Sequence, residues 1–409
     1  MTKMLGMNYL KSKLAAKQTR VALRYQHYEM KNRARDFGIS SPPSLTGWQS
    51  CLGWCAKGVD SLADRLQFRD FDDDNFAIMQ IYRMNNADVL FDSAILSALI
   101  ASCSFIYISA DEDGYPRMQV IDGYNATGVV DPITGMLSEG YAVLERDEYG
   151  TATLEAYFIA GKTWFYRKGE QNAQIVLNSA PYPLLVPVVY RPDAARPFGH
   201  SRISRACMSL VGSALRTVKR AEISAEFYSY PQKYVLGMSQ DAESMDTWRA
   251  SMSAMFRVDK DEDGDHPVVG QFQQASMTPH TDQLRMFASL FAGETGLTLD
   301  DLGFATENPS SAEAIKAAHE NLRLTARKAQ RDFGVGFLNA GFLAACVRDD
   351  FRYKRRMLYK TVPKWEPIFE PDTSMLSSIG DGAIKLNQAV PGYFGKDNLR
   401  DLTGVPSNE

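Results

Sequence analysis

Histidine, cysteine and tryptophan each occur only five times in 409 residues. The histidines (His27, His200, His266, His280, His319) stand far apart in sequence, and nothing places one beside a nucleophile or an acid. Cys51, Cys55, Cys103, Cys207 and Cys346 are odd in number, and only Cys51 and Cys55 form a close pair. Without a second pair or a histidine cluster, idle thiols in a reducing compartment are expected, not a zinc site or a disulfide framework. No Gly-x-x-x-x-Gly-Lys-Ser/Thr stretch occurs, which disfavours a phosphate-cradling motor, and no Gly-x-Ser-x-Gly elbow occurs either. The most apolar run, AILSALIASCSFIYI (94–108), is too short to span a bilayer and is interrupted by three serines. These absences predict a soluble chain with no membrane partner, no cofactor and no enzymatic activity.

A basic excess is missing too. With 45 Lys and Arg against 49 Asp and Glu, net charge is −4, whereas a free-standing duplex binder must neutralise phosphates with a surplus of cations. The first 28 residues run against this balance, carrying Lys3, Lys11, Lys13, Lys17, Arg20 and Arg24 and no acid before Glu29. Lacking a continuous apolar core or small-residue cleavage site, they are expected to form a basic surface helix or a mobile arm.

At this length, two or three lobes are expected. Helical spacing runs over 9–35, breaks at the two prolines of GISSPPSL (38–45), and resumes over 45–66 with Trp48, Leu52, Cys55, Val59, Leu62 and Leu66 on one side. FRDFDDDNF then reads as a turn, and helices continue to about 101. From 103 to 200 short β-rich runs alternate with Asp-Gly, Tyr-Gly and Lys-Gly turns, predicting an antiparallel region of about a hundred residues. A long helix over 201–230 stops at Pro231. Its stripe is Ile203, Cys207, Leu210, Ala214, Val218, Ala221, Ala225 and Tyr228. After a small mixed segment come a helix over 281–293 and another long helix to about 347. Ser310 and Glu313 read as a capping box at the start of that last helix. The fold class is therefore α+β, with long helices bracketing a small α/β insertion beside an antiparallel β-rich region.

Two acidic stretches bear on metal chemistry. In DKDEDGD (259–265), Asp259, Asp261, Asp263 and Gly264 match the opening of a calcium loop, but Gly270 stands at the twelfth position, where a bidentate glutamate is needed. FDDDNF (71–76) invites a two-metal nuclease reading through Asp72–Asp74, although adjacent turn aspartates point in different directions. The alternatives to be weighed are a metal-dependent nucleic-acid-processing enzyme using Asp72–Asp74 or Asp259–Asp265, and a structural adaptor that stays a monomer or small oligomer. On the last long helix Lys316, Arg323, Arg327 and Arg331 share one face, and Ile315, Leu322, Ala326, Ala329, Phe333 and Phe337 make a second. The basic face is either solvated and offset by Glu313 and Glu320, or turned toward a polyanion or a neighbouring subunit's acids.

In order, YQHYEMKNRARDFGISSPPSLTGWQSCLGWCAKGVDSLADRL, RPFGHSRIS, GLTLDDLGFATENPSSAEAIKAAHENL, KWEPIFEP and GDGAIKLNQAVPGYFG resemble segments of portal proteins from long-tailed bacteriophages. The resemblance runs from about 20 to 405, and Asn-Pro-Ser-Ser-Ala-Glu-Ala is its most specific element. It implies a portal-like fold and a ring of copies, usually twelve, at one capsid vertex, after an earlier life in the host cytoplasm. Double-stranded DNA would pass through the ring without sequence-specific binding. The implied partners are the terminase large subunit, head–tail adaptor proteins, and a major capsid or scaffold protein whose assembly the ring could nucleate.

By the same resemblance, 1–200 forms a wing, 201–230 a stem helix, 231–277 a clip, 279–295 a second stem helix and 296–310 a tunnel loop. Residues 311–350 form a long wing helix, and 351–409 a C-terminal segment with a short or absent crown. Thr306, Glu307 and Asn308 would face the channel, and Asp259, Asp261 and Asp263 would lie in the docking clip. A conduit must not grip its cargo, so a weak or acidic lining suits sliding.

Overall fold

The computed structural model describes residues 4–35, 47–229, 233–236, 268–271, 273, 276–304, 317–369 and 371–405. Helix α1 (Met7–Tyr28) opens the described chain. It ends seven residues earlier than the periodicity suggests, because Met30 takes a left-handed conformation (φ 59°) that interrupts the helix. It is no mobile arm. Leu10 and Leu14 pack on the sheet below, Lys13 Nζ donates to the Gly128 carbonyl (2.7 Å), and Lys17 Nζ donates to that of Ala126 (2.6 Å).

Helix α2 (Trp54–Ala63) is shorter than the 45–66 expectation, and Trp48 lies exposed outside it. The aspartate-rich stretch expected to be a turn is strand β1 (Phe68–Asp72), completed by β12 (Val362–Trp365) from near the far end of the chain. Only that distant partner makes it a strand, so no local pattern announced it. Helices α3 (Ile78–Met84) and α4 (Ala87–Ala101) follow.

Two antiparallel sheets then form. Strands β2 (Cys103–Ala110), β3 (Pro116–Asp122) and β9 (Leu185–Val189) make a sheet of order β3-β2-β9. Strands β4 (Ala126–Val130), β5 (Leu137–Arg146), β6 (Ala152–Ile159), β7 (Lys162–Arg167) and β8 (Gln174–Leu177) make a five-stranded meander in sequence order. Glycines with positive φ, such as Gly150 (79°) and Gly161 (76°), supply the tight connections.

Helix α5 (Arg205–Ser229) and helix α6 (Thr278–Thr295) pack side by side. Between them, within the described residues, β10 (Lys233–Leu236) pairs antiparallel with β11 (Val268–Gln271). Helix α7 (Glu320–Arg348) runs through the core, and its apolar face is the expected one: Leu322, Ala326, Ala329, Phe333 and Phe337 are all buried. Phe337 meets Phe68, Phe91 and Trp365, tying α7 to β1, α4 and β12. The Tyr82 hydroxyl donates to the Phe337 carbonyl at 2.6 Å within this cluster. Helices α8 (Thr373–Ala389) and α9 (Lys396–Thr403) close the chain, and Asp401 binds Arg69 and Lys364 to anchor α9 beside the β1–β12 pair. The expected fold class, mixed helices with antiparallel sheets and long helices flanking a small insertion, holds.

Candidate functional site

The α5–α6 hairpin is the structure's strut, and its foot is built from polar contacts that sequence reading missed. Ser204 Oγ accepts from the Cys207 amide (3.1 Å), capping α5, and donates to Glu294 Oε1 (2.8 Å) near the end of α6. Arg202, just before α5, donates from Nε to the Gly58 carbonyl (3.0 Å) and from Nη2 to the Thr295 carbonyl. One guanidinium thus joins α2 to the C-terminal end of α6. An arginine in a polar loop carries no sequence signal for such a role, because the two carbonyls come from distant segments.

Higher on the hairpin, Thr217 Oγ1 donates to Gln283 Oε1 (2.9 Å), and Ser224 Oγ lies 3.4 Å from His280 Nε2. Of the expected stripe, Ile203, Cys207 and Ala214 are buried near the foot of α5, with Val211 and Leu215 buried beside them, and Ala225 is exposed farther out. The stripe named Leu210 and Val218, which are only half-buried. Burial follows the position of α6 and not periodicity alone. Helix α6 buries Ala288, Phe291 and Ala292 while Met286 and Leu290, one turn apart, stand about half exposed on its other side.

Beyond α6 the chain turns through Asp300–Leu302 with Leu297 and Leu302 buried. Asp301 accepts from Thr298 N and Oγ1 (2.9 Å each), and His319 Nε2 lies 3.2 Å away. Burial pushes the Asp301 carboxyl up, but these hydrogen bonds and the histidine outweigh it and hold the group below the usual carboxylate range. His319 also meets the Phe369 ring edge-on, so it links this turn to the segment that carries Phe369.

Thr306, Glu307, Asn308, Lys316, Asp259, Asp261, Asp263 and the Ser310–Glu313 capping box lie outside the described residues. On α7, Arg323 makes a double hydrogen bond to Glu320 (2.7 and 2.6 Å), whereas Arg327 and Arg331 are exposed. The three aspartates of the nuclease reading diverge. Asp72 faces Lys364 (3.4 Å), Asp73 sits at φ 50°, and Asp74 caps α3 through the Ile78 and Met79 amides. Among the described residues no three His, Cys, Asp or Glu side chains gather where a metal could be held. Four cysteines are buried and Cys51 is exposed, all unbridged. No described helix is long and apolar enough to cross a membrane.

The arrangement is that of a scaffold: a packed α+β body from which two helices carry a small insertion. Comparisons point to one class of such scaffolds. The chain is 26% identical over 406 residues to the portal protein of Mycobacterium phage D29, covering 92% of this chain and 81% of that protein. It is 25% identical over 411 residues to the portal protein of Mycobacterium phage L5, covering 94% and 82% respectively. No family model matches.

Among solved structures, a chain in the neck of a native gene transfer agent particle overlaps 87% of this chain and 90% of its own, with 12% identity and a TM-score of 0.47. A chain from the virion of a native gene transfer agent particle overlaps 95% and 100%, with 11% identity and a TM-score of 0.46. The chain is thus similar to these two bacteriophage portal proteins along nearly its whole length.

Proposed function

We propose that the chain is a portal subunit that assembles with copies of itself into a ring, most simply of twelve, at one vertex of the capsid. Its near-full-length relation to two phage portal proteins carries this reading. The hairpin adds a physical reason: Met286 and Leu290 leave apolar surface on the strut, which a neighbouring copy can cover. A head-to-tail contact that closes on itself makes a ring.

The axial opening is the conduit for double-stranded DNA during packaging and ejection, and 296–310 with Thr306, Glu307 and Asn308 lines it. Twelve copies at −4 each repel the duplex on average, which suits sliding over gripping. The insertion over 231–277, with Asp259, Asp261 and Asp263, is the docking clip for the terminase large subunit and later for head–tail adaptors. Residues 1–200 and 311–350 form the wing that meets capsid or scaffold protein and can nucleate assembly, and 201–230 with 279–295 form the stem. The role is mechanical, without catalysis or cofactor.

Among the described residues of the basic face, Arg327 and Arg331 are exposed and available to such partners, while Glu320 engages Arg323. Particle imaging and native mass of the purified chain test the reading. Annular particles with an axial hole and a mass of about 550 kDa, twelve times 45.7 kDa, are expected. A chain that stays a compact monomer at every concentration and salt would overturn it.

A further inference from the structure

A cavity of about 1100 Å³ opens between α1, the segment 196–204 and the foot of α5. Six cations line it: Lys13, Lys17, Arg20 and Arg24 from α1, with Arg196 and Arg205 opposite. Its single carboxylate, Glu294, already accepts from Ser204. The lining is therefore +5 on a chain whose total is −4, which leaves −9 on the remainder.

The inner cations are held by carbonyls, which orient a charge without neutralising it, and only Lys17 also has a carboxylate, Asp122, acting on it. Lys13 and Lys17 donate to strand β4, and Arg24 Nη1 donates to the Ala101 carbonyl at 2.8 Å. Burial pushes all three below their usual values; Lys17 adds to the effect on Lys13, and Arg20 to that on Arg24. Arg20 and Arg205 are exposed at the mouth. In the wall, Thr127 is 0% exposed and its Oγ1 has no hydrogen-bond partner among the described residues.

The recess is not wholly polar. Val21, Phe198 and Met208 line it, and Leu23, 43% exposed, sits beside them. A duplex presents a charge every ~1.7 Å of its axis and calls for an extended track of cations, not a single closed recess. A bare phosphate leaves the apolar wall uncovered. An acidic polypeptide segment with an apolar side chain satisfies both surfaces.

We propose that this cleft receives an acidic segment of a second copy of the chain, making it one half of the head-to-tail contact between neighbours in the ring. The inference rests on the ring reading above. Charge selects the occupant: the lining is +5 while the rest of the chain nets −9, so a second copy can supply the acids, and a contact pairing different patches repeats around a closed circle.

The test uses the full chain with Arg20→Glu/Arg205→Glu, and Arg20→Lys/Arg205→Lys as the conservative pair, followed by sedimentation velocity at 0.1 and 0.5 M NaCl. The charge reversal is expected to keep the wild-type thermal transition and to raise the concentration for half-assembly about tenfold or more at low salt, with the lysine pair close to wild type. Reversal that leaves assembly unchanged at both salts overturns the inference while the ring reading stands. A wild-type chain that forms no annulus sinks the ring reading first, a separate observation made without any variant.

A photo-crosslinking residue at position 23 supplies a second readout in assembled wild-type-like rings. Attachment to an Asp- or Glu-rich peptide of another copy supports the assignment. Attachment only within its own chain, or to no peptide, contradicts it.

Discussion

Arg202 Nη2 lies 2.5 Å from the Thr295 carbonyl oxygen, and this contact, with the Gly58 carbonyl on the same guanidinium, fixes where the strut leaves the body. Arg202→Ala leaves two carbonyls without their charged donor, so a loss of about 2–3 kcal/mol is expected in urea unfolding. Arg202→Lys recovers only part of it, because an ammonium lacks the fork that spans both acceptors. Equal stability of all three proteins would show that the foot is held by apolar packing alone.

Glu139 anchors the entrance to α1. It is 1% exposed and accepts from the Leu5 amide (2.6 Å), the Gly6 amide (2.9 Å) and the Tyr157 hydroxyl (2.8 Å). Glu139→Ala removes the carboxylate that accepts all three hydrogen bonds and is expected to cost about 2 kcal/mol locally. Trypsin should then cleave at Lys11 to Lys17 more than tenfold faster, while the five-stranded sheet stays protected. Mass spectrometry of the first cleavage products reads the outcome directly.

Gly341 on α7 packs so closely on α3 that an added Cβ would lie 2.0 Å from Ile78 Cγ2. In an exposed helix, Gly→Ala stabilises by roughly 1 kcal/mol. Here the sign reverses, and Gly341→Ala is expected to destabilise by about 2 kcal/mol or more as α3 is pushed outward. Ile78→Ala, which deletes Cγ2, should cost less in the Gly341→Ala protein than in the wild type if the clash is the cause.

Asp301 and Asp401 make stability depend on acid. For Asp401, burial pushes the carboxyl up, but Lys364 and Arg69 outweigh it and hold it low. Both folded-state values therefore lie below the unfolded one, near 3.9. Their contribution is present above the unfolded value and is lost as pH falls through the folded one. Asp122 and Asp332, raised chiefly by burial, act with the opposite sign. The diagnostic is thus the difference between proteins: Asp301→Asn/Asp401→Asn should lower the urea midpoint at pH 6 and flatten its fall between pH 5 and 3. A variant whose slope matches wild type would assign the acid response elsewhere.

The last long helix was legible because its apolar face repeats at helical spacing over many turns, and Leu322 to Phe337 are buried as that spacing requires. The β-rich region was legible from its turn chemistry. Strand β1 was not, since Phe68–Asp72 becomes a strand only by pairing with Val362–Trp365. The stripe on α5 was half right: Ala221 and Ala225 fit the period, yet burial depends on how far α6 runs alongside. The basic character of the first helix was plain, but not its meaning, because sequence cannot say that two of its cations would be laid against strand carbonyls and a third against the end of α4, around a recess.

Sequence alone determined the long helices, the β-rich region, the α+β class and the likeness to portal proteins, since each depends on local periodicity, turn chemistry or the order of segments along one chain. Tertiary structure decided which charges meet: Arg202 with Thr295, Glu139 with the α1 entrance, and the cations of α1 with Arg196 and Arg205 across the cavity. Electrostatic and hydrogen-bonding partners are set by distances in space, and those distances join residues up to several hundred positions apart.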